Sequence, residues 1–426
     1  LQVIAFLLSS FEEGETKRSL IISPASLVYN WESEIRRFAP ALPVRVLAGS
    51  VEERTEILKN SRPGEILVTS YETMRRDQGH YKEEDFFCEV IDEAQYIKNA
   101  GTKGARAVKS VSAQMKLALT GTPVENRLSE LWSIFDYLMP GFLYSYEHFK
   151  KNFETPIMKK ENEDAMADLQ KMIRPFILRR LKKEVLSDLP DKIEKCVTIP
   201  LEGEQKKLYD AHVQRLKFML ENEEFANIRM QVLAELTRLR QLCCDPALIY
   251  QDYQEGAAKM ELCMELLNNA VNGGHKVLLF SQFTSMLEIL EKRMEEAGIG
   301  YYSLTGSTPK KERMELMEKF NRDATPVFCI SLKAGGTGLN LTGADVVIHY
   351  DPWWNVAAEN QATDRAHRIG QKRVVTVYKL VAEHTIEEKV VELQQKKKEL
   401  ADQVLSGEEM GSILFDREEL LKLFQN

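Results

Sequence analysis

The feature that most constrains this chain is an alternation that occurs twice. Short apolar, β-branched runs are separated by amphipathic helical stretches. The first block holds Leu20-Ile21-Ile22, Val44-Arg45-Val46-Leu47, Ile66-Leu67-Val68, Glu89-Val90-Ile91 and Leu117-Ala118-Leu119. The second holds Val277-Leu278-Leu279-Phe280, Tyr301-Tyr302-Ser303-Leu304, Val327-Phe328-Cys329-Ile330, Val346-Val347-Ile348 and Val374-Val375-Thr376-Val377. Strands alternating with helices imply βαβ units, and hence a parallel sheet covered on both faces. Two blocks predict two α/β lobes, in keeping with 426 residues, about three times a typical single-core domain. From about 128 to 252 helical patterns dominate, broken near Pro175, Leu189-Pro190 and Pro200. We expect a first lobe over 1–190 with a helical insertion at about 128–185. A second lobe is expected over 191–405, with an insertion at about 204–252, followed by an acidic tail over 406–426. The crossing between lobes is expected near Leu189 to Glu194. After Thr385, the apolar residues Ile386, Val390, Val391, Leu393, Leu400 and Val404 pattern a charged helix on the second lobe.

Composition narrows the class. Apolar residues at 44% and charged residues at 29% support a packed core rather than a disordered chain. The apolar run Val3 to Leu8 is far below the roughly 18 residues of a membrane span, and no cationic leader precedes it. No membrane association or secretion is expected. The six cysteines form no C-x-x-C pair and the seven histidines no helical ligand pair, so neither a disulfide scaffold nor a structural metal is expected. A net charge of -8 argues against coating nucleic acid by bulk charge, which leaves local basic strips. The chain opens at Leu1 inside an apolar periodic stretch, and we expect it to be a piece of a longer protein.

Four motifs carry chemistry. Val90-Ile91-Asp92-Glu93-Ala94-Gln95 is an apolar strand ending in two carboxylates, at the sheet edge where α/β ligands bind. Asp92 suits Mg²⁺ held through water, and Glu93 suits a base that polarises an attacking water. The same pair also reads as an N-cap for the next helix. Thr120-Gly121-Thr122-Pro123 follows another strand and offers the Thr120 and Thr122 hydroxyls to a nucleotide, or makes an ordinary turn; the spacing from Glu93 admits one crossover helix. Lys333-Ala334-Gly335-Gly336-Thr337-Gly338-Leu339-Asn340 lets backbone N–H groups near Gly336 and Gly338 approach a phosphate, or serves as a flexible connector. Gln361 to Gln371 sets Arg365 and Arg368 three apart on one face of a helix, four residues beyond Gln361. Such guanidinium groups stabilise a transferring phosphoryl group, or form a solvated face. Trp353 and Trp354 read as core packing.

Taken in order, these motifs resemble those of the Swi/Snf-type ATPases of helicase superfamily two. The resemblance rests also on Ile22-Ser23-Pro24-Ala25-Ser26-Leu27-Val28-Tyr29-Asn30-Trp31, Val68-Thr69-Ser70-Tyr71, Phe176-Ile177-Leu178-Arg179-Arg180, Ser281-Gln282-Phe283 and Asp351-Pro352-Trp353-Trp354-Asn355, and reaches about Val404. The Asp-Glu-Ala-Gln variant and compact spacing are similar to bacterial, HepA-like members. The resemblance implies two RecA-like parallel-sheet lobes of the P-loop NTPase type that use ATP and Mg²⁺ to move along double-stranded DNA without parting its strands. It implies that Asp92 and Glu93 are the magnesium and water-activating pair, that Arg365 and Arg368 are arginine fingers, and that Gln361 lies on their helix. It further implies DNA contacts from Ser23, Pro24, Thr69, Ser70 and Tyr71 in the first lobe and Ser281, Gln282, Thr305 and Gly306 in the second. Proteins bound to DNA, RNA polymerase among them, are the implied cargo. The implied location is the cytoplasm of a bacterium, on the nucleoid, or the nucleus of a eukaryote.

Lys171 to Lys183 carries six Lys or Arg and no acid, and Arg365 to Lys379 carries five, so basic strips exist for phosphate contacts. Two departures stand out. No G-x-x-x-x-G-K-[ST] occurs, although the family places a Gly-Lys-Thr just ahead of the Leu-Gln that opens this chain; weak ATP binding by these residues alone is expected. Val356 stands where the family has proline, with an expected loosening of the turn after Asn355. A strand-separating helicase and a non-catalytic DNA-binding fragment remain as alternatives. A metabolic α/β enzyme is disfavoured, because no nucleophile and base pair at a strand end.

Overall fold

The computed structural model describes residues 1–81, 84–121, 128–160, 162–180, 189–222, 225–332, 340–392 and 394–395. These fall into two compact units, Leu1–Pro175 and the residues from Phe176 onward.

The first unit is built on a five-stranded parallel sheet: β1 (Ser19–Ser23), β2 (Val44–Val46), β3 (Ile66–Ser70), β4 (Asp85–Asp92) and β5 (Ser112–Leu119), in the order β2-β3-β1-β4-β5. Because strand side chains alternate, β1 feeds two cores: Leu20 and Ile22 join Leu67, Phe86 and Ile91 on one face, while Ile21 joins Val68, Cys88 and Val90 on the other. Each fully buried aliphatic side chain contributes roughly 1.5–3 kcal/mol, so both faces are held by continuous apolar strands rather than by alternating ones. Helices follow the strands, including Val28–Phe38, Val51–Lys59, Tyr71–Asp77 and Lys103–Lys109. Beyond β5 come Leu128–Leu138, Tyr146–Phe149, Thr155–Lys160 and Glu163–Ile173.

The second unit has a six-stranded parallel sheet of β6 (Lys192–Pro200), β7 (Val277–Ser281), β8 (Tyr301–Leu304), β9 (Val327–Ser331), β10 (Val346–His349) and β11 (Val375–Glu383), in the order β6-β11-β10-β7-β9-β8. With β6 set aside, its strands follow the same order as those of the first unit: β7 is the central first strand, flanked by the third (β9) and fourth (β10). The stretch expected to cross between lobes from Leu189 is an edge strand from Lys192 on, paired along its whole length with β11, from Lys192 opposite Val375 to Pro200 opposite Glu383. Its sequence, Lys-Ile-Glu-Lys-Cys-Val-Thr-Ile-Pro, is too polar to read as a buried strand, because most of it is exposed at the sheet edge.

Two long helices, Gly203–Asn222 and Phe225–Cys244, pack on each other through Leu216, Leu220, Val232, Leu236 and Leu239. Helix Ala258–Asn272 then carries Lys259 into the interior, where its ammonium meets the Glu387 carboxylate at 2.6 Å with both side chains fully buried. No helix among the described residues is long and apolar enough to cross a membrane.

Candidate functional site

The carboxyl edge of the first sheet gathers four of the sequence motifs. Register places Ser23 opposite Ser70, Ile22 opposite Ile91 and Asp92 opposite Leu119, so Thr120 emerges beside the Asp92-Glu93 pair. Parallel strands bring these ends together because every crossover returns the chain in the same direction, and the central strand β1 marks the point where the order reverses.

Asp92 is held at both oxygens. Trp31 Nε1 donates to Oδ2 at 2.9 Å and the Glu93 backbone N–H to Oδ1 at 2.9 Å. Burial raises its pKa above the usual carboxylate value, an effect that the Trp31 bond opposes. Glu93 adopts a left-handed backbone, φ 54° and ψ 58°, which is uncommon for a side chain with a Cβ and is a recurrent mark of functional sites. Its side chain makes no capping bond to the following Ala94–Ile97 turn, so the N-cap alternative is not realised. Instead Gln95 Nε2 donates to Glu93 Oε2 at 2.6 Å, and Thr120 Oγ1 donates to Gln95 Oε1 at 3.0 Å. A base candidate, a magnesium candidate and a candidate nucleotide-facing hydroxyl thus share one hydrogen-bonded edge. Thr122 lies outside the described residues.

The hydroxyls assigned to DNA by resemblance are turned inward. Ser23 is fully buried beside buried Pro24 and donates to the Pro24 carbonyl, and Thr69 is fully buried. Ser70 caps helix Tyr71–Asp77 by accepting from Thr73 N at 3.1 Å. Tyr71 donates its phenol to the Asp92 carbonyl at 2.7 Å. In the segment after β1, Ala25, Ser26, Tyr29 and Asn30 are exposed, as are Glu72 and Tyr96 after the neighbouring strands.

The matching edge of the second unit is built differently. Ser281, fully buried, donates to Asp351 Oδ1 at 2.6 Å, and the Gln282 N–H reaches the same oxygen at 3.3 Å. Arg240, from helix Phe225–Cys244, lies 3.8 Å from Asp351 Oδ2 and donates to the Pro352 carbonyl at 2.7 Å. Its guanidinium is flanked by the rings of Phe283 and Trp354. Burial raises the pKa of Asp351, and Arg240 works against that rise. Trp353 and Trp354 pack against the unit's cores, as expected. After β8, Thr305 and exposed Gly306 form a turn whose carbonyls accept from Arg313.

The arginine segment departs from its expected form. Helix Val356–Thr363, capped by Asn355, contains Gln361 but ends before Arg365 and Arg368. The two arginines stand in consecutive turns, Arg365 buried and Arg368 exposed, and share no helical face. The reason is local. The Arg365 carbonyl accepts from Leu341 N at 3.0 Å, and Gln371 ties the turn down by donating to the Ala344 carbonyl at 2.7 Å and to that of Ala366 at 3.1 Å. Thr363, the last helical residue, bonds the buried His349 ring at 2.9 Å. The second basic strip is likewise broken up, with Arg373 paired to Asp345 and Lys379 to buried Glu359. In the first strip, Lys171, Arg174, Arg179 and Arg180 are exposed, and 181–183 lie outside the described residues, as do Gly336 and Gly338.

The sequence had pointed to Trp31 and Gln95 only as letters within motifs, and to Tyr96 and Arg240 not at all. An aromatic donor or a salt bridge reaching across elements leaves no local spacing to read.

Comparison with known proteins identifies the family. The SNF2-related domain family matches residues 1–248, and the Helicase conserved C-terminal domain matches 258–370. A protein of Mycoplasma pneumoniae named as an uncharacterized ATP-dependent helicase is 40% identical over all of this chain and 41% of its own length. One of Bacillus subtilis strain 168, provisionally named as an ATP-dependent helicase/translocase, YwqA, is 39% identical over all of this chain and 47% of its own. The solved SWI2/SNF2 ATPase core of Sulfolobus solfataricus in complex with dsDNA is 38% identical, covering 95% of this chain and 86% of that one, with a TM-score of 0.45. The chain thus spans less than half the length of the curated relatives it matches. With the SNF2-related match running through more than half of its residues and the helicase C-terminal match through strands β7 to β10, this chain belongs to the SNF2-related family.

Proposed function

We propose that the protein carrying this chain is an ATP hydrolase that moves along double-stranded DNA. The observation that carries the reading is the strained Glu93 at the carboxyl edge of a parallel sheet, beside Asp92 and linked through Gln95 to Thr120. The relatives named as ATP-dependent helicases, one of them also as a translocase, support it. Asp92 fits a hydrated Mg²⁺ accompanying ATP, since each of its oxygens accepts one strong bond and keeps lone pairs for a metal-bound water. The metal would neutralise charge on the phosphates. Glu93 would orient and polarise the attacking water, and Arg365 and Arg368 would stabilise the transferring phosphoryl group. The 426 residues contain no G-x-x-x-x-G-K-[ST] cradle, and by themselves would bind ATP weakly.

Duplex contacts are assigned to the segments around Ser23, Pro24, Thr69 and Ser70 and around Ser281, Gln282, Thr305 and Gly306, with backbone N–H groups and nearby exposed residues making them where the hydroxyls are engaged. Displacement of DNA-bound proteins, RNA polymerase among them, is the proposed outcome, in a bacterial cytoplasm on the nucleoid or in a eukaryotic nucleus. The test is ATP turnover by the full-length protein with duplex and with single-stranded DNA, across salt. Duplex stimulation that falls linearly in log affinity against log salt is expected. Stimulation by single strands with strand separation would instead support the helicase reading, and no stimulation by either would end both.

A further inference from the structure

The left-handed Glu93 must be held by something, and the residues that hold it come from an unexpected place. The peptide unit between Asp92 and Glu93 is fixed on both sides: its carbonyl accepts from the Tyr71 phenol at 2.7 Å, and its N–H donates to Asp92 Oδ1 at 2.9 Å. The next carbonyl, that of Glu93, accepts from Tyr96 N at 3.0 Å. The rings of Tyr71 and Tyr96 lie flat on each other, 4.9 Å between centroids and 8° between planes. Glu93 is therefore bracketed by a frame in which Tyr71 grips one flank, Tyr96 the other, and ring stacking closes the loop.

Tyr71 is also the first residue of the helix that Ser70 caps, directly after β3 and beside the Thr69-Ser70 segment assigned to duplex contact. A shift of that segment must move the phenol, and moving the phenol turns the peptide that sets φ of Glu93. We propose that Tyr71 is a positioning residue that conveys duplex binding at the Thr69-Ser70 segment to the Glu93 carboxylate, so that hydrolysis depends on DNA. The proposal rests on the functional reading above and adds the physical route of coupling. It also moves Tyr71 from the DNA-contacting set to the carboxylate loop.

The test uses the full-length protein with ATP and a blunt duplex of fixed length. Tyr71→Phe keeps the ring stack and removes one hydrogen-bond donor. At saturating duplex, its kcat should fall at least tenfold, while KM for ATP and Kd for duplex change less than twofold. Tyr96→Ala, which keeps the donor and removes the stack, should give a smaller loss of kcat with the same constancy of KM. An unchanged kcat in Tyr71→Phe overturns the proposal, as does a loss confined to duplex Kd, which would make Tyr71 a phosphate contact. Thermal melts report whether each variant folds. Should Tyr71→Phe not fold, an unchanged kcat in Tyr96→Ala is the overturning result. Failure of the functional reading looks different, because the unmodified protein would then show no duplex-stimulated hydrolysis.

Discussion

Glu93 and Asp351 hold equivalent positions in two sheets of the same strand order. Ile22 pairs with Ile91 in the first sheet and Phe280 with His349 in the second, so each acid lies two residues beyond the matching paired residue of the fourth strand. Their surroundings differ completely. Glu93 is half-buried, sits in a left-handed backbone and bonds a glutamine side chain on a short turn. Asp351 is fully buried, bonded to Ser281 and the Gln282 N–H, and faces Arg240 from the helical pair. A strand-end acid serves chemistry where its carboxylate stays reachable, and serves architecture where burial forces it to find a cation. The lesson is that topology supplies the position while the side chains packed around it choose the use.

The contrast makes predictions that separate the two acids. The largest effect is expected for Glu93→Gln in the full-length protein: ATP turnover falls by about 10²–10⁴, the range for losing a positioned base, with little change in melting temperature. Retained turnover would remove Glu93 from its role. Arg240→Met should act in the opposite way, lowering stability by about 3 kcal/mol or more through the uncompensated Asp351 charge, as measured by denaturant unfolding. A loss below about 1 kcal/mol would show that Ser281 and Gln282 suffice to hold Asp351.

Acidity sharpens the same contrast, because the fourth strands bury groups of opposite kind. Burial raises Glu89 on β4 from 4.5 to about 7, despite Lys116 at 3.4 Å. Folding then retains a proton that the unfolded chain releases, so the stability from this group is full below about pH 4.5 and lost as pH rises through 7. The full loss is about 3 kcal/mol at most. His349 on β10, with Lys379 and Lys192 opposing its charge and Glu194 favouring it, is lowered by burial from 6.5 to about 3. Its contribution is present above pH 6.5 and lost as pH falls toward 3. In melts over pH 4 to 8, Glu89→Gln should remove the loss at the alkaline end and His349→Gln the loss at the acid end. Profiles parallel to that of the parent protein would sink the assignment. The smallest effect is Ser70→Ala, about 1 kcal/mol of stability from the lost helix cap.

Much of the fold was legible because buried parallel strands leave continuous apolar runs, and ten of the strands coincide with such runs. β6 was missed for the converse reason, since an edge strand needs no apolar face on its open side. The acidic pair, its neighbouring Thr120 and the motif order were equally legible. The helical face expected to join Arg365 with Arg368 was not found, because three-residue spacing describes a helix only if the helix continues. Whether it continues was decided by Leu341 N and the Gln371 side chain, which are distant or polar and carry no periodicity.

By itself, the sequence determined two parallel sheets, the edge on which the motifs fall, and the family, since hydrophobic period and motif order are local properties of a chain. Only the tertiary structure decided that Tyr71 grips the Asp92 carbonyl, that Trp31 holds Asp92, and that Arg240 claims Asp351. Those contacts join residues 21, 61 and 111 positions apart, and what brings such side chains within 4 Å of each other is the packing of whole elements.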